Sequence, residues 1–373
     1  MKKKNLGKMI LIAIGGLLAV TLITAGIMTA VNFSKLHKAE QKMKDSGYYN
    51  PVSVGDHSLN VTKTGNPDGE HKIVALSGWG DGTYALSWEY MTEPLEKDNE
   101  FIYIDRAGYG MSDDWDGEAT VENIVNDYRT ALKNAGIEGP YVLLAHSIGG
   151  LYTTYWVSTY PNEIEGAIIM DGSYVDDLHV GEDTLSDKAL FTFIPYLDHI
   201  QNIIGLPRLN GTGYEEFLSE LPDDKRDLSI EMLIDTSCSN FPSREFRGFC
   251  DKDLLDETRN AIRSNDVPKM YICSTTAYVN KDEIIEDGID APITSLMRKS
   301  ELNYLMDKND LTEDDYYDLI LAYNKLQRDE LIIPYQEAMG NMSIEYLHGD
   351  HVIYLDRTEE CRQLISDFLA KLP

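Results

Sequence analysis

The sequence predicts an α/β protein built on a mostly parallel, doubly wound sheet and preceded by one apolar helix. Two observations carry the sheet: short continuous apolar runs recur along the chain, and segments with helical periodicity lie between them. A third carries the leading helix, an uncharged stretch over residues 9–31 behind Lys2, Lys3, Lys4 and Lys8.

The leading stretch comes first in the chain. Twenty-three helical residues reach roughly 34 Å, enough to cross a hydrocarbon core of about 30 Å. A cleavable signal peptide has a shorter apolar region, of about 7–15 residues. Thr24-Ala25-Gly26 offers the small residues of a cleavage site, but the length favours an anchor. Residues 1–8 then form a cytoplasmic tail, 9–31 the transmembrane anchor and 32–50 a polar, basic juxtamembrane linker or short helix. Long domains translocate largely regardless of charge, so the remaining chain is expected outside the cytoplasm, on a single-pass cell-membrane protein.

Residues 51–373 supply the strands. Short paired strands flank the turn at Gly55-Asp56. KIVAL (72–76), EFIYI (100–104), YVLLA (141–145), AIIM (167–170), KMYIC (269–273) and SIEYL (343–347) follow as strands buried on both faces. Helical patterns occupy 121–135, ending at Gly136, and 148–160, stopping before Pro161. A last helix presents Leu364, Ile365, Phe368 and Leu369 on one face, with Asp356 and Glu359 spaced as a capping box. Residues 172–267 and 281–340 break the alternation and read as helical insertions, the first a cap. Its aromatic stretch, from Leu190-Phe191 through Tyr196-Leu197 to Ile203-Ile204, is suited to covering the C-terminal edge of the sheet.

Composition narrows the partners. A formal net charge of −30 repels nucleic acid and anionic headgroups. Four cysteines are too few for a disulfide scaffold. Cys238 and Cys250 are close enough to close a small loop, and whether they are bridged stays open. No Cys/His pattern has metal-ligand spacing, and no cofactor is expected.

The chemistry is concentrated at one turn. YVLLA runs into His146-Ser147-Ile148-Gly149-Gly150 and then into a helix. A strand-to-helix turn this tight needs small neighbours, and it lifts a serine hydroxyl above the sheet at the positive end of the next helix. A hydroxyl needs a base. His351, just past the last apolar strand, is the candidate, with His348 as its competitor.

On these motifs the chain resembles the α/β-hydrolase superfamily over residues 50–373. A-H-S-I-G departs from the family's G-x-S-x-G only by alanine at the first position. Ser77-Gly78-Trp79-Gly80 is similar to the family's oxyanion turn, with serine in place of the usual histidine. Asp105-Arg106-Ala107-Gly108-Tyr109-Gly110-Met111-Ser112 resembles the D-x-R-G-x-G-x-S block with shifted spacing. The resemblance implies Ser147 as nucleophile, His351 as base, and the main-chain N–H groups of Trp79 and Ile148 as the oxyanion hole. The family's usual place for the acid, residues 274–278, holds no carboxylate here. In some members the acid instead ends strand six, and that resemblance implies Asp171, at the end of AIIM, with Asp282 as the alternative. A serine at the elbow argues against epoxide hydrolase and dehalogenase chemistry. The implied activity is cleavage of an ester or amide in a small-molecule, lipid or peptide substrate, the rival being a non-catalytic binding or sensor module at the cell surface.

Overall fold

The computed structural model describes residues 2–175, 196–211, 214–219, 221–274, 276–286, 299–312 and 315–373. His179 and the Leu190–Ile194 part of the aromatic stretch lie outside the described residues. Eight strands form one sheet: β1 (Pro51–Ser53), β2 (Ser58–Gly65), β3 (His71–Leu76), β4 (Asn99–Ile104), β5 (Tyr141–His146), β6 (Ile164–Met170), β7 (Lys269–Cys273) and β8 (Met342–Tyr346). Their order is β1-β2-β4-β3-β5-β6-β7-β8. The β1–β2 and β2–β4 pairs are antiparallel and all others parallel.

Side-chain alternation explains the unbroken apolar runs. In β3, Val74 and Leu76 enter one core layer while Ile73 and Ala75 enter the other. In β4, Ile102 and Ile104 oppose Phe101 and Tyr103 in the same way. Both faces are covered, so no polar face interrupts the pattern. The helices introduced next are α1 (Lys2–Asp45), α2 (Val121–Asn134), α3 (Gly149–Thr159), α4 (Asp223–Cys238), α5 (Asn240–Cys250), α6 (Asp253–Ala261), α7 (Lys299–Asn309), α8 (Tyr316–Gln327), α9 (Ile333–Met339) and α10 (Thr358–Leu369). Helices α2 and α3 pack on the Val74 side and α10 on the Ile73 side.

Three expectations need correction. The segment 32–50 is not a separate linker: α1 continues unbroken to Asp45 and buries Asn32, Leu36, Ala39 and Met43. Those positions recur at i, i+4, i+7 and i+11, one stripe of a helix, and pack against α4 and the core residues Leu86 and Met111. The insertions also end earlier than 267 and 340. Leu254 and Leu255 bury α6 in the main core, and Tyr335 and Met339 do the same for α9, so both are flanking helices of the sheet. Helix α10 lacks the expected box. Its N-cap is Arg357, which makes no side-chain cap bond, and Asp356 instead accepts the Asp350 N–H at 3.1 Å. The question left open for Cys238 and Cys250 is also answered: they are not bridged by a disulfide, and both are partly buried.

Among the described residues α1 is the one helix long and apolar enough to cross a membrane, and its apolar window is wholly exposed. Its far end is structural. Replacing Leu36, 4% exposed, by alanine is expected to cost about 2–5 kcal/mol. The exposed Lys38→Ala change should stay within about 0.5 kcal/mol. Denaturant unfolding of the two variants checks the difference.

Candidate active site

Strand β5 delivers Ser147 to the sheet's C-terminal edge in a left-handed conformation, φ 54°. Non-glycine residues seldom adopt it, so the surroundings must hold it. They do so through small neighbours. A Cβ on Gly149 would lie 2.4 Å from Leu76 O, and one on Gly78 would lie 3.2 Å from Ser147 Cβ. The Ser147 carbonyl accepts from Gly150 N at 2.9 Å and Ser173 N at 2.8 Å, and its own N–H donates to Met170 O at 3.3 Å.

His351 arrives from the loop between β8 and α10. Its Nε2 lies 3.0 Å from Ser147 Oγ and its Nδ1 2.7 Å from Asp171 Oδ2. Asp171 follows β6 directly and also has a positive φ, 39°. Its Oδ1 accepts Ser274 N–H at 2.9 Å and its own N–H donates to Ile272 O at 2.7 Å. The carboxylate is 5% exposed. Thus the structure brings together Ser147, His351 and Asp171 and leaves the two alternatives outside: Asp282 is exposed in the 281–286 helix, and His348 stacks on Tyr278 at 4.7 Å.

The charges of the pair reinforce each other. Burial disfavours the His351 imidazolium, but the hydrogen bond and charge of Asp171 outweigh it and raise the pKa above the ordinary histidine value. Burial likewise pushes Asp171 up, but the hydrogen bond and charge of His351, together with the N–H that Ser274 donates to the carboxylate, bring it below the ordinary value. The main-chain N–H groups of Trp79 and Ile148 make no hydrogen bond to protein among the described residues. They flank the serine, one on the turn after β3 and one at the start of α3.

Two further residues support this arrangement. His146 is buried, with its Nε2 2.8 Å from His351 O and its ring 4.7 Å from the His351 ring. Donation to that carbonyl puts the proton on Nε2 and leaves Nδ1, which has no partner, against Gly78. Burial, and then the charge of His351, lower its pKa to about 3, so it stays neutral. The second support is Arg106. Its guanidinium donates to Ser77 O at 2.7 Å and Gly78 O at 2.9 Å, gripping the turn after β3. Its Nε lies 2.8 Å from Glu245 Oε1, an ion pair whose N–H is not aimed at the oxygen. Glu245, on α5, is fully buried and also accepts the hydroxyls of Tyr109 and Tyr152. The same helix meets the turn again where Trp79 donates its indole N–H to Pro242 O at 2.8 Å and packs on Phe246. A sequence signal existed: Glu245 falls on the buried face of its helix with Phe241 and Pro242.

In the D-R-A-G-Y-G block, Gly108 and Gly110 have φ of 72° and 51°, which glycine alone adopts without strain. Any Cβ at Gly110 would meet Asp105 Oδ2 at 2.4 Å.

With this geometry in place, comparison with known proteins is informative. Residues 73–193 match the family described as the alpha/beta hydrolase fold. The uncharacterized protein YbdG of Bacillus subtilis is 23% identical over 373 residues, 99% of each chain. The Cif epoxide hydrolase from Acinetobacter nosocomialis superposes with a TM-score of 0.59 at 15% identity, covering 90% of this chain and 96% of that one. The enol-lactonase from Burkholderia xenovorans LB400 gives 0.52 at 15%, covering 86% and 100%. The match over residues 73–193 and these superpositions show that the chain has the α/β-hydrolase fold.

Two measurements test the electrostatics. Replacing Asp171 by Asn removes the largest cause of the raised His351 pKa and leaves burial against the smaller effect of the Asp350 charge, so the imidazole titration, followed by NMR, should move to lower pH. Glu245→Ala leaves the Arg106 charge buried without its partner and should cost about 3–5 kcal/mol in unfolding free energy. Removing both charges together, as Arg106→Met with Glu245→Leu, should cost less than the sum of the single changes.

Proposed function

We propose that this protein is a membrane-anchored serine hydrolase that cleaves a carboxylic ester or amide through an acyl-enzyme on Ser147. The observation that carries the reading is the continuous path from Ser147 Oγ through His351 to Asp171, at 3.0 Å and 2.7 Å. Each distance is within proton-transfer reach.

The roles follow from the atoms. His351 Nε2 takes the serine proton while Oγ attacks the substrate carbonyl carbon, and Nδ1–H donates to Asp171 throughout. Asp171 keeps the imidazole in the tautomer with Nε2 free to accept, and stabilises the imidazolium once formed. The carbonyl oxygen gains charge as the tetrahedral intermediate forms, and the Trp79 and Ile148 N–H groups supply fixed donors for it. Collapse expels the alcohol or amine with the proton returned by His351. Water then repeats the sequence on the acyl-enzyme and frees Ser147. Arg106 and His146 touch no reacting atom in this scheme and act as positioning residues for the oxyanion turn and the histidine loop.

The membrane half of the proposal rests on α1, with the hydrolase domain on the extracytoplasmic side. The long uncharged run and the short basic tail before it support that orientation.

A fluorophosphonate probe should label the wild-type chain and fail on Ser147→Ala. An intact, folded wild type that takes no label would sink the enzymatic reading in favour of a binding module. Asp171→Asn should lower kcat on an activated ester on the order of 10⁴-fold. In wild type the acidic limb of kcat/KM should lie above the ordinary histidine value, because the base must be neutral and its pKa is raised.

A further inference from the structure

The apolar run of α1 ends at Val31, and the next residue, Asn32, is fully buried. Its Nδ2 donates to Asn202 O at 2.8 Å, and its Oδ1 accepts Arg208 Nε at 2.6 Å. Arg208 in turn holds Glu231 of α4 through both carboxylate oxygens, at 2.7 and 2.6 Å. Residues 196–211 are therefore clamped to α1 at the level where its apolar surface stops.

That segment has two different faces. Outward, Leu197, Ile200 and Leu209 are 55%, 51% and 67% exposed, with Tyr196 beside them. Val31 and Phe33 extend the apolar surface onto α1 itself. Inward, Asp198 and Ser237, whose carbonyl meets His199 Nδ1 at 3.1 Å, line a cavity of about 430 Å³ with Leu233, Phe246 and Trp79. Trp79 carries one of the proposed oxyanion donors, so the cavity adjoins the reactive turn. One helix thus separates that cavity from an exposed apolar patch.

Water is a poor solvent for such a patch. The unbroken helix supplies a better one. Because α1 is one continuous helix from the run to its docked end, the cap is tied to whatever surface the run enters. At 1.5 Å per residue, Ile200 lies within one or two helical turns of the height of Val31. Lys35 follows on α1 about 6 Å beyond Val31, the depth of the headgroup region, and Lys38 and Lys42 lie further out.

We propose that residues 196–209 rest in the headgroup–acyl boundary of the membrane that α1 crosses, and that the cavity behind them receives the acyl chain of a membrane-resident ester or amide. Substrate is then drawn from the bilayer rather than from water. The lipid contact stands on the clamp and the exposed patch. The substrate class also rests on the serine hydrolase reading.

The test uses the full chain in phosphatidylcholine nanodiscs. A benzophenone amino acid at position 200 or 209 should form phospholipid adducts on irradiation, and the same group at exposed position 133 on α2 should not. Adducts to a second copy, or none at all at 200 and 209, overturn the lipid contact. For substrate, Leu197→Glu with Ile200→Glu should reduce hydrolysis of a bilayer-embedded oleoyl ester by at least about tenfold while hydrolysis of the matching acetyl ester stays within about twofold. An unchanged oleoyl rate overturns the acyl-chain proposal. If both rates fall together, the variant has lost more than its patch, and preferential inhibition of acetyl ester hydrolysis by oleate over acetate in the wild type decides instead, its absence counting against the cavity. Failure of fluorophosphonate to label Ser147 would remove the hydrolase reading alone and leave the photo-adducts to decide the membrane contact.

Discussion

A serine held at φ 54° costs about 1–3 kcal/mol unless its surroundings leave it no other conformation. Around Ser147 they leave none. Gly149 packs so close to the Leu76 carbonyl that any side chain there would clash, Gly78 leaves only enough room for the His146 and Ser147 side chains, and two amides bind the serine carbonyl. The strained backbone is what points the hydroxyl away from the sheet and toward His351. Asp171 repeats the device one strand over, with φ 39° and its own amide and carboxylate tied to β7 and the loop after it. Neither residue could hold its position as part of a regular strand, because successive side chains there alternate between the buried faces.

The rest of the architecture serves to keep that edge rigid. Arg106 converts a buried charge into a clamp on Ser77 and Gly78, and Glu245 makes the burial tolerable. A lone guanidinium at 1% exposure would be costly, so the turn depends on α5 being in place. Burial alone would lower the Arg106 pKa, but the carboxylate raises it above its ordinary value, and the charge persists at any working pH. The insertion is therefore more than a cover. It contributes an obligatory counter-charge to the core, and α1 contributes a hydrophobic stripe to the insertion. Helices α4 and α5 thus stand between α1 and the turn after β3.

Much of this was legible in the sequence where a local rule applied. Continuous apolar runs marked the parallel strands because both sheet faces are covered. The elbow was visible because tightness demands small residues next to a serine between strand and helix. Asp171 could be singled out because a carboxylate is absent from the more usual loop. What stayed hidden depended on pairing across the chain. His146 meets the His351 carbonyl over a separation of 205 residues, and no local pattern encodes that. The docking of α1 was masked differently: Asn32, Leu36, Ala39 and Met43 lie at helical spacing, but lysines between them gave the segment the composition of a linker. The expected capping box failed because Asp356 found a partner in the histidine loop instead.

The Asp171–His351 pair also sets a conflict between stability and reactivity. The raised His351 pKa stabilises the folded state below the unfolded histidine value of about 6.5, and that contribution is lost as pH rises through the folded pKa. The depressed Asp171 pKa contributes above the unfolded value of about 3.9 and is lost as pH falls through its folded pKa. The ion pair is thus strongest between the two folded values. Proton abstraction from Ser147 requires the opposite state, a neutral imidazole, so the proposed chemistry runs at the upper edge of this window or beyond it. There the site keeps its geometry without help from the His351 charge. The neutral His146, the Ser274 amide and the Arg106 clamp all persist as the imidazolium disappears, and they are the contacts that can hold it.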